Sequence, residues 1–199
     1  MSEIIEKISY KTSKRLAEAK MIDREDISIY AYNLQVKSER LVAFAGAFII
    51  ATIIGYLLET IVFVTAFALV REFTGGYHCK TFLGCFFLSV TTILLSIPLV
   101  LLYERHSYAF FISVAISMIF ILLIGSTSDI DSGFSEEEIQ LVKRMGRYMC
   151  VFVVALMLLA YQIHTTRHLS LYIGTSVIQV AFYLIIAKIL HRRKTNHEE

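Results

Sequence analysis

The chain has 199 residues, 56% of them hydrophobic, with one proline, no tryptophan and a formal net charge of +2. That composition is too apolar for an ordinary soluble domain, and the small net charge says little beyond where the basic residues fall. The three cysteines, Cys79, Cys85 and Cys150, are odd in number and lie near apolar segments, which is a poor basis for a disulfide framework, so free thiols are expected.

The first forty residues are charged and mixed, with no apolar core ending at a small-residue cleavage site. No cleavable signal peptide is expected there, and residues 1–40 read as a cytoplasmic or interfacial arm. Within it, Ser2 to Ala19 sets Ile4, Ile5, Ile8 and Leu16 against Glu3, Lys7, Lys11, Lys14 and Arg15. That pattern suits an amphipathic helix lying on an anionic phospholipid leaflet, and equally a solvated charged arm.

Apolar runs follow at Leu41 to Val70, Phe82 to Tyr103, Tyr108 to Gly125, Met149 to Ile163 and Leu169 to Leu190. A lipid-facing backbone must satisfy its own hydrogen bonds, so each run should be helix and the fold class is all-α, a polytopic helical membrane protein. Five spans would put the termini on opposite sides and leave Lys188, Arg192, Arg193 and Lys194 outside, against the positive-inside rule. The basic residues alternate cleanly if Leu41 to Val70 enters and returns, turning near Gly55 to Thr60 where Glu59 interrupts the run. Thirty residues are short for two crossings at roughly 20 each, so this hairpin is expected to be tilted, re-entrant or shielded by protein.

The expectation is therefore about six membrane segments in one domain, residues 41–190, with a basic cytoplasmic tail over 191–199. Both termini and the stretch from Arg71 to Cys85 are expected at the cytoplasmic face of the membrane. Ser135 and Glu138 have capping-box spacing, and the helix they open should lead directly into the span at Met149.

The stretch R-E-F-T-G-G-Y-H-C-K-T-F-L-G-C, Arg71 to Cys85, is the one place that gathers reactive groups. A thiol attacks a carbonyl as thiolate, and an imidazole within reach can take its proton and later return it to a leaving group. His78 and Cys85 are thus candidate base and nucleophile. Cysteine and histidine also serve as inert packing residues in helical membrane proteins, and composition alone does not separate the roles.

Seven residues apart on a regular helix, His78 and Cys85 would lie about 10.5 Å apart along the axis, too far for a hydrogen bond. Gly75 and Gly76 free the backbone to turn, so a helix is expected to start between His78 and Cys85. A helix N-terminus favours a thiolate and offers amide groups to an oxyanion, while Arg71 and Lys80 add positive potential or anchor the chain at headgroups.

Arg71, Gly75, Gly76, His78 and Cys85, set between apolar runs, resemble the signature of the accessory gene regulator B (AgrB) family of membrane peptidases in bacterial peptide quorum sensing. The likeness extends over essentially the whole chain. It implies a cysteine endopeptidase with His78 and Cys85 as catalytic pair and no cofactor. It further implies that a small precursor peptide of the AgrD type is cleaved on its C-terminal side and closed into a thiolactone through an acyl-thioester. Arg71, Gly75, Gly76 and Lys80 would support substrate or oxyanion. Cys79, beside the histidine, departs from the family pattern and is the competing nucleophile. A homodimer is compatible with the resemblance, because two copies would enclose a larger cavity.

No third residue orienting His78 stands out, although Glu59, Glu72 and Asp129 are candidates. Asp129 with Asp131, and His164 with His168, have spacings seen in metal sites, but a capped polar loop and interfacial histidines account for them as well, so no metal is expected. No nucleic-acid stripe is present. The competing reading is a small transporter or exporter component with Glu59, Arg71 and His78 along a polar path, or a peptide-binding scaffold without activity.

Overall fold

The structure, a computed structural model, describes residues 2–74, 82–124 and 136–198. Among these residues the chain is all-α and polytopic: α1 (Ser2–Glu18), α2 (Ile27–Ile53), α3 (Leu57–Thr74), α4 (Phe82–Arg105), α5 (Ser107–Ile124), α6 (Glu136–Gln162) and α7 (Arg167–Glu198), with short 3-10 turns at Arg24–Asp26 and His164–Thr166. The apolar run from Leu41 to Val70 is broken where expected, α2 ending at Ile53 and α3 beginning at Leu57. Gly55 takes φ +80 between α2 and α3, a left-handed conformation that glycine adopts without a Cβ clash. Four helices, α4 to α7, contain segments long and apolar enough to cross a membrane. α3 carries Glu59, Arg71 and Glu72 within its 18 residues and is not among those four.

The chain divides into two compact units, Met1–Ile53 with Cys79–Thr91, and Ile54–His78 with Thr92–Glu199. In the first unit α1 packs along α2. The face α1 buries is made of small side chains at four-residue spacing, Ser9, Ser13 and Ala17, while Ile4 and Ile8 remain 62% and 59% exposed. α1 therefore docks by close backbone approach and keeps its large apolar residues for another surface. Lys20 closes the helix in a left-handed conformation, with the Met21 and Lys20 amides donating to the carbonyls of Leu16 and Ala17. On α2, Ala43, Ala47 and Ala51 are buried, and Gly46 leaves room for the Phe86 ring of α4.

In the second unit α7 is central. It packs against α3, α5 and α6, and 72% of its membrane-length segment is buried against 22 to 28% for the other three. Its close fit depends on Gly174, where an added Cβ would fall 2.8 Å from Met157 Sδ and nearer still to the Phe110 ring. Phe63, Val70, Phe110, Val153, Tyr172 and Leu184 are fully buried in this unit. α5 shows how sequence sorts inside from outside. Phe110, Val114, Ser117 and Ile121 are buried, whereas Ile112, Ile116, Ile119 and Leu123 are between 56 and 78% exposed on the other side. An apolar face that long has no place in water and suits the hydrocarbon of a bilayer.

Candidate active site

Arg71 lies in the last turn of α3. Its guanidinium sits 5.4 Å from the centroids of both the Phe67 and Tyr183 rings, a cation–π arrangement that joins α3 to α7. Phe67 meets Tyr183 edge to face at 6.2 Å and stacks on Phe63 at 5.7 Å. The Tyr183 hydroxyl hydrogen-bonds Thr92 of α4, and both residues are buried. Thr74 Oγ1 donates to the Val70 carbonyl at 2.9 Å, and both of those residues are buried too. Gly146 of α6 closes the arrangement from another side, since a Cβ there would stand 3.2 Å from the Phe73 carbonyl oxygen. The start of the reactive stretch is thus held by contacts from α6 and α7, with α4 bonded to the Tyr183 that meets Arg71.

Gly75, Gly76, His78, Cys79 and Lys80 lie outside the described residues, as do Asp129 and Asp131, and of Cys85 only the backbone is described. α4 begins at Phe82, between His78 and Cys85 in sequence, so Cys85 stands in the first turns of a helix. Tyr183, Thr92 and Phe67 were not singled out from the sequence. Each sits inside an apolar run, where nothing local distinguishes a tyrosine or threonine that supports a site from one that packs.

A second polar cluster lies at the opposite end of α3 from Arg71, about 18 Å along the helix axis. His168 Nδ1 is 2.7 Å from Glu104 Oε1, and His168 Nε2 is 3.7 Å from Glu59 Oε1. One imidazole thus links the first turn of α7 to the ends of α3 and α4. Beside it a cavity of about 240 Å³ is lined by Tyr103, Glu104, Ser107, Tyr161, Arg167 and His168, together with Leu171. Arg167 lies over the Tyr161 ring at 4.4 Å and donates to its hydroxyl at 2.5 Å.

Glu59 is engaged here, at the far end of α3 from the reactive stretch. His164 belongs to the separate 3-10 turn, so it and His168 do not share an unbroken helix. Among the described residues no three His, Cys, Asp or Glu side chains converge as metal ligands. Cys150 is a free thiol with no exposure, packed inside the second unit.

A family model described as Accessory gene regulator B matches residues 5–190. No curated protein and no solved structure matches the chain.

Proposed function

The chain belongs to the accessory gene regulator B family, which matures quorum-sensing peptides, and from that premise we propose a membrane-embedded cysteine endopeptidase with His78 as base and Cys85 as nucleophile. The substrate is a precursor peptide of the AgrD type. His78 takes the proton from Cys85 Sγ, and the thiolate adds to the scissile carbonyl. The C–N bond then breaks as the imidazolium protonates the departing amine, leaving an acyl-thioester on Cys85. A cysteine thiol within the bound peptide gives its proton to His78 and attacks this thioester. Its sulfur takes the acyl group, the thiolactone closes, and Cys85 leaves as thiolate to be reprotonated. Thioester passes to thioester, so little activation is lost, and exclusion of water favours exchange over hydrolysis.

The observation that carries this reading is the family match across residues 5–190, which takes in the whole stretch from Arg71 to Cys85. The start of α4 at Phe82 supports it, because the first turns of a helix direct amide groups and a positive dipole end toward negative charge. Arg71, held by aromatic rings, is suited to present a fixed positive charge to the acidic part of a peptide.

The test is mass spectrometry of an AgrD-type precursor incubated with liposomes carrying the wild-type protein, Cys85→Ser, His78→Ala or Cys79→Ser. Cleavage is expected with wild type and Cys79→Ser and is expected to vanish in the other two. Identical behaviour of all four proteins, or loss in Cys79→Ser alone, overturns the assignment.

A further inference from the structure

On α7, His168, Tyr172, Thr175, Gln179 and Tyr183 fall within about 80° of one another around the helix and span about 22 Å of its length. That is most of the roughly 30 Å of bilayer hydrocarbon. At the ends, contacts fix the direction of this face. His168 meets Glu59 of α3 and Glu104 of α4, while Tyr183 meets Phe67 and Arg71 of α3 and Thr92 of α4. At both ends the face therefore turns toward α3 and α4, and along its length it lies away from the Gly174 face that packs on Phe110 and Met157.

Its two central residues stand out. Thr175 is 0% and Gln179 4% exposed, yet Thr175 Oγ1, Gln179 Nε2 and Gln179 Oε1 have no hydrogen-bond partner among the described residues. Polar side chains that glue membrane helices together are expected to be paired, as Tyr183 and Thr92 are. Three orphaned polar atoms in the most enclosed helix instead call for a ligand small enough to share the seam and able both to donate and to accept. Water has those properties. One end of the stripe adjoins the open cavity beside Glu104 and His168, which gives water an entry from the aqueous phase.

We propose that this α7 face lines a hydrated seam, in which a file of water molecules entering at the Glu104–His168 cavity hydrogen-bonds Gln179 and Thr175 and extends a polar path toward Tyr183 and Arg71. The seam makes the interior of the bundle accessible to small hydrophilic solutes from the Arg167 end, independently of the peptide chemistry proposed for Cys85.

Thiol accessibility tests this. In the full-length chain bearing Cys79→Ser, Cys85→Ser and Cys150→Ala, a single cysteine is introduced as Thr175→Cys, Gln179→Cys or Val177→Cys. Each protein, in liposomes, is treated with membrane-permeant 2-aminoethyl methanethiosulfonate and followed by mass spectrometry. Val177 is as buried as Thr175 but lies on another face. The reagent reacts with thiolate, which forms only where water reaches, so the seam cysteines should label at least about tenfold faster than Val177→Cys. Equal rates at all three positions overturn the proposal.

Radiolytic hydroxyl-radical footprinting of the wild-type protein provides a readout that needs no variant. Tyr172, 1% exposed, should be oxidised by radicals generated from the seam water, whereas Val177, 0% exposed on another face of α7, should not. Tyr172 as inert as Val177 also overturns the proposal.

Discussion

Gly174 shows how tightly a single residue can be constrained. A methyl group there would meet the flexible tip of Met157, which can give way, and the ring of Phe110, which is fully buried and cannot. Gly174→Ala should therefore cost about 1–3 kcal/mol as overpacking, read as a fall in the midpoint of thermal unfolding in detergent. Lys20 is the opposite case, a non-glycine residue in the left-handed region at the end of α1. Lys20→Gly removes its Cβ from that strain and should leave the protein as stable or up to about 1 kcal/mol more stable in the same assay. The stretch from Arg71 to Cys85 stands out in the sequence because His, Cys and paired Gly are rare neighbours in an apolar chain, and the roles of its His and Cys belong to the function proposed above. Tyr183 and Gln179 could not, since their meaning depends on which helix they face, and that is decided by packing between segments over a hundred residues apart.

Among the helices, start and stop signals were legible wherever chemistry forces a break. The turn at Gly55, the start of α4 at Phe82 and the 3-10 turn before α7 fall where the sequence places a glycine or a polar connector. The continuity of α6 from Glu136 into its membrane segment follows from the acidic residues that open it and the apolar period after them. Less legible was the face each helix would bury. α1 carries isoleucines on one side, yet packs through Ser9, Ser13 and Ala17, because close approach to α2 rewards small side chains.

The two links between α4 and α7 should differ in strength for a related reason. His168 with Glu104 is well exposed, so a double-mutant cycle with His168→Gln and Glu104→Gln should give a coupling of only about 0.2–1 kcal/mol. Tyr183 with Thr92 is buried, and Tyr183→Phe should cost about 1–3 kcal/mol. Thermal unfolding of the four proteins of the cycle, and of Tyr183→Phe, measures both.

At the scale of the whole molecule, the bilayer is the solvent that gives the exposed surface its sense. Residues such as Ile112, Ile116, Ile119 and Leu123 would be a liability in water, and they form one continuous side of α5. If that side faces lipid, the penalty for a charge on it must depend on depth. Ile116 is near the middle of the 18-residue helix and is 63% exposed, so Ile116→Arg should cost about 2.5–3.5 kcal/mol of insertion free energy. Tyr108 is 89% exposed but one residue from the helix start, where a long basic side chain reaches the headgroups, so Tyr108→Arg should insert almost as wild type does. Ile116→Leu is the size-matched control and should be silent. The fraction of each protein recovered in alkali-washed membranes reads the difference. A surface facing water or another protein would not produce that gradient, because Arg at Ile116 and at Tyr108 would then be tolerated alike or rejected according to the partner rather than to the distance from the middle of the helix.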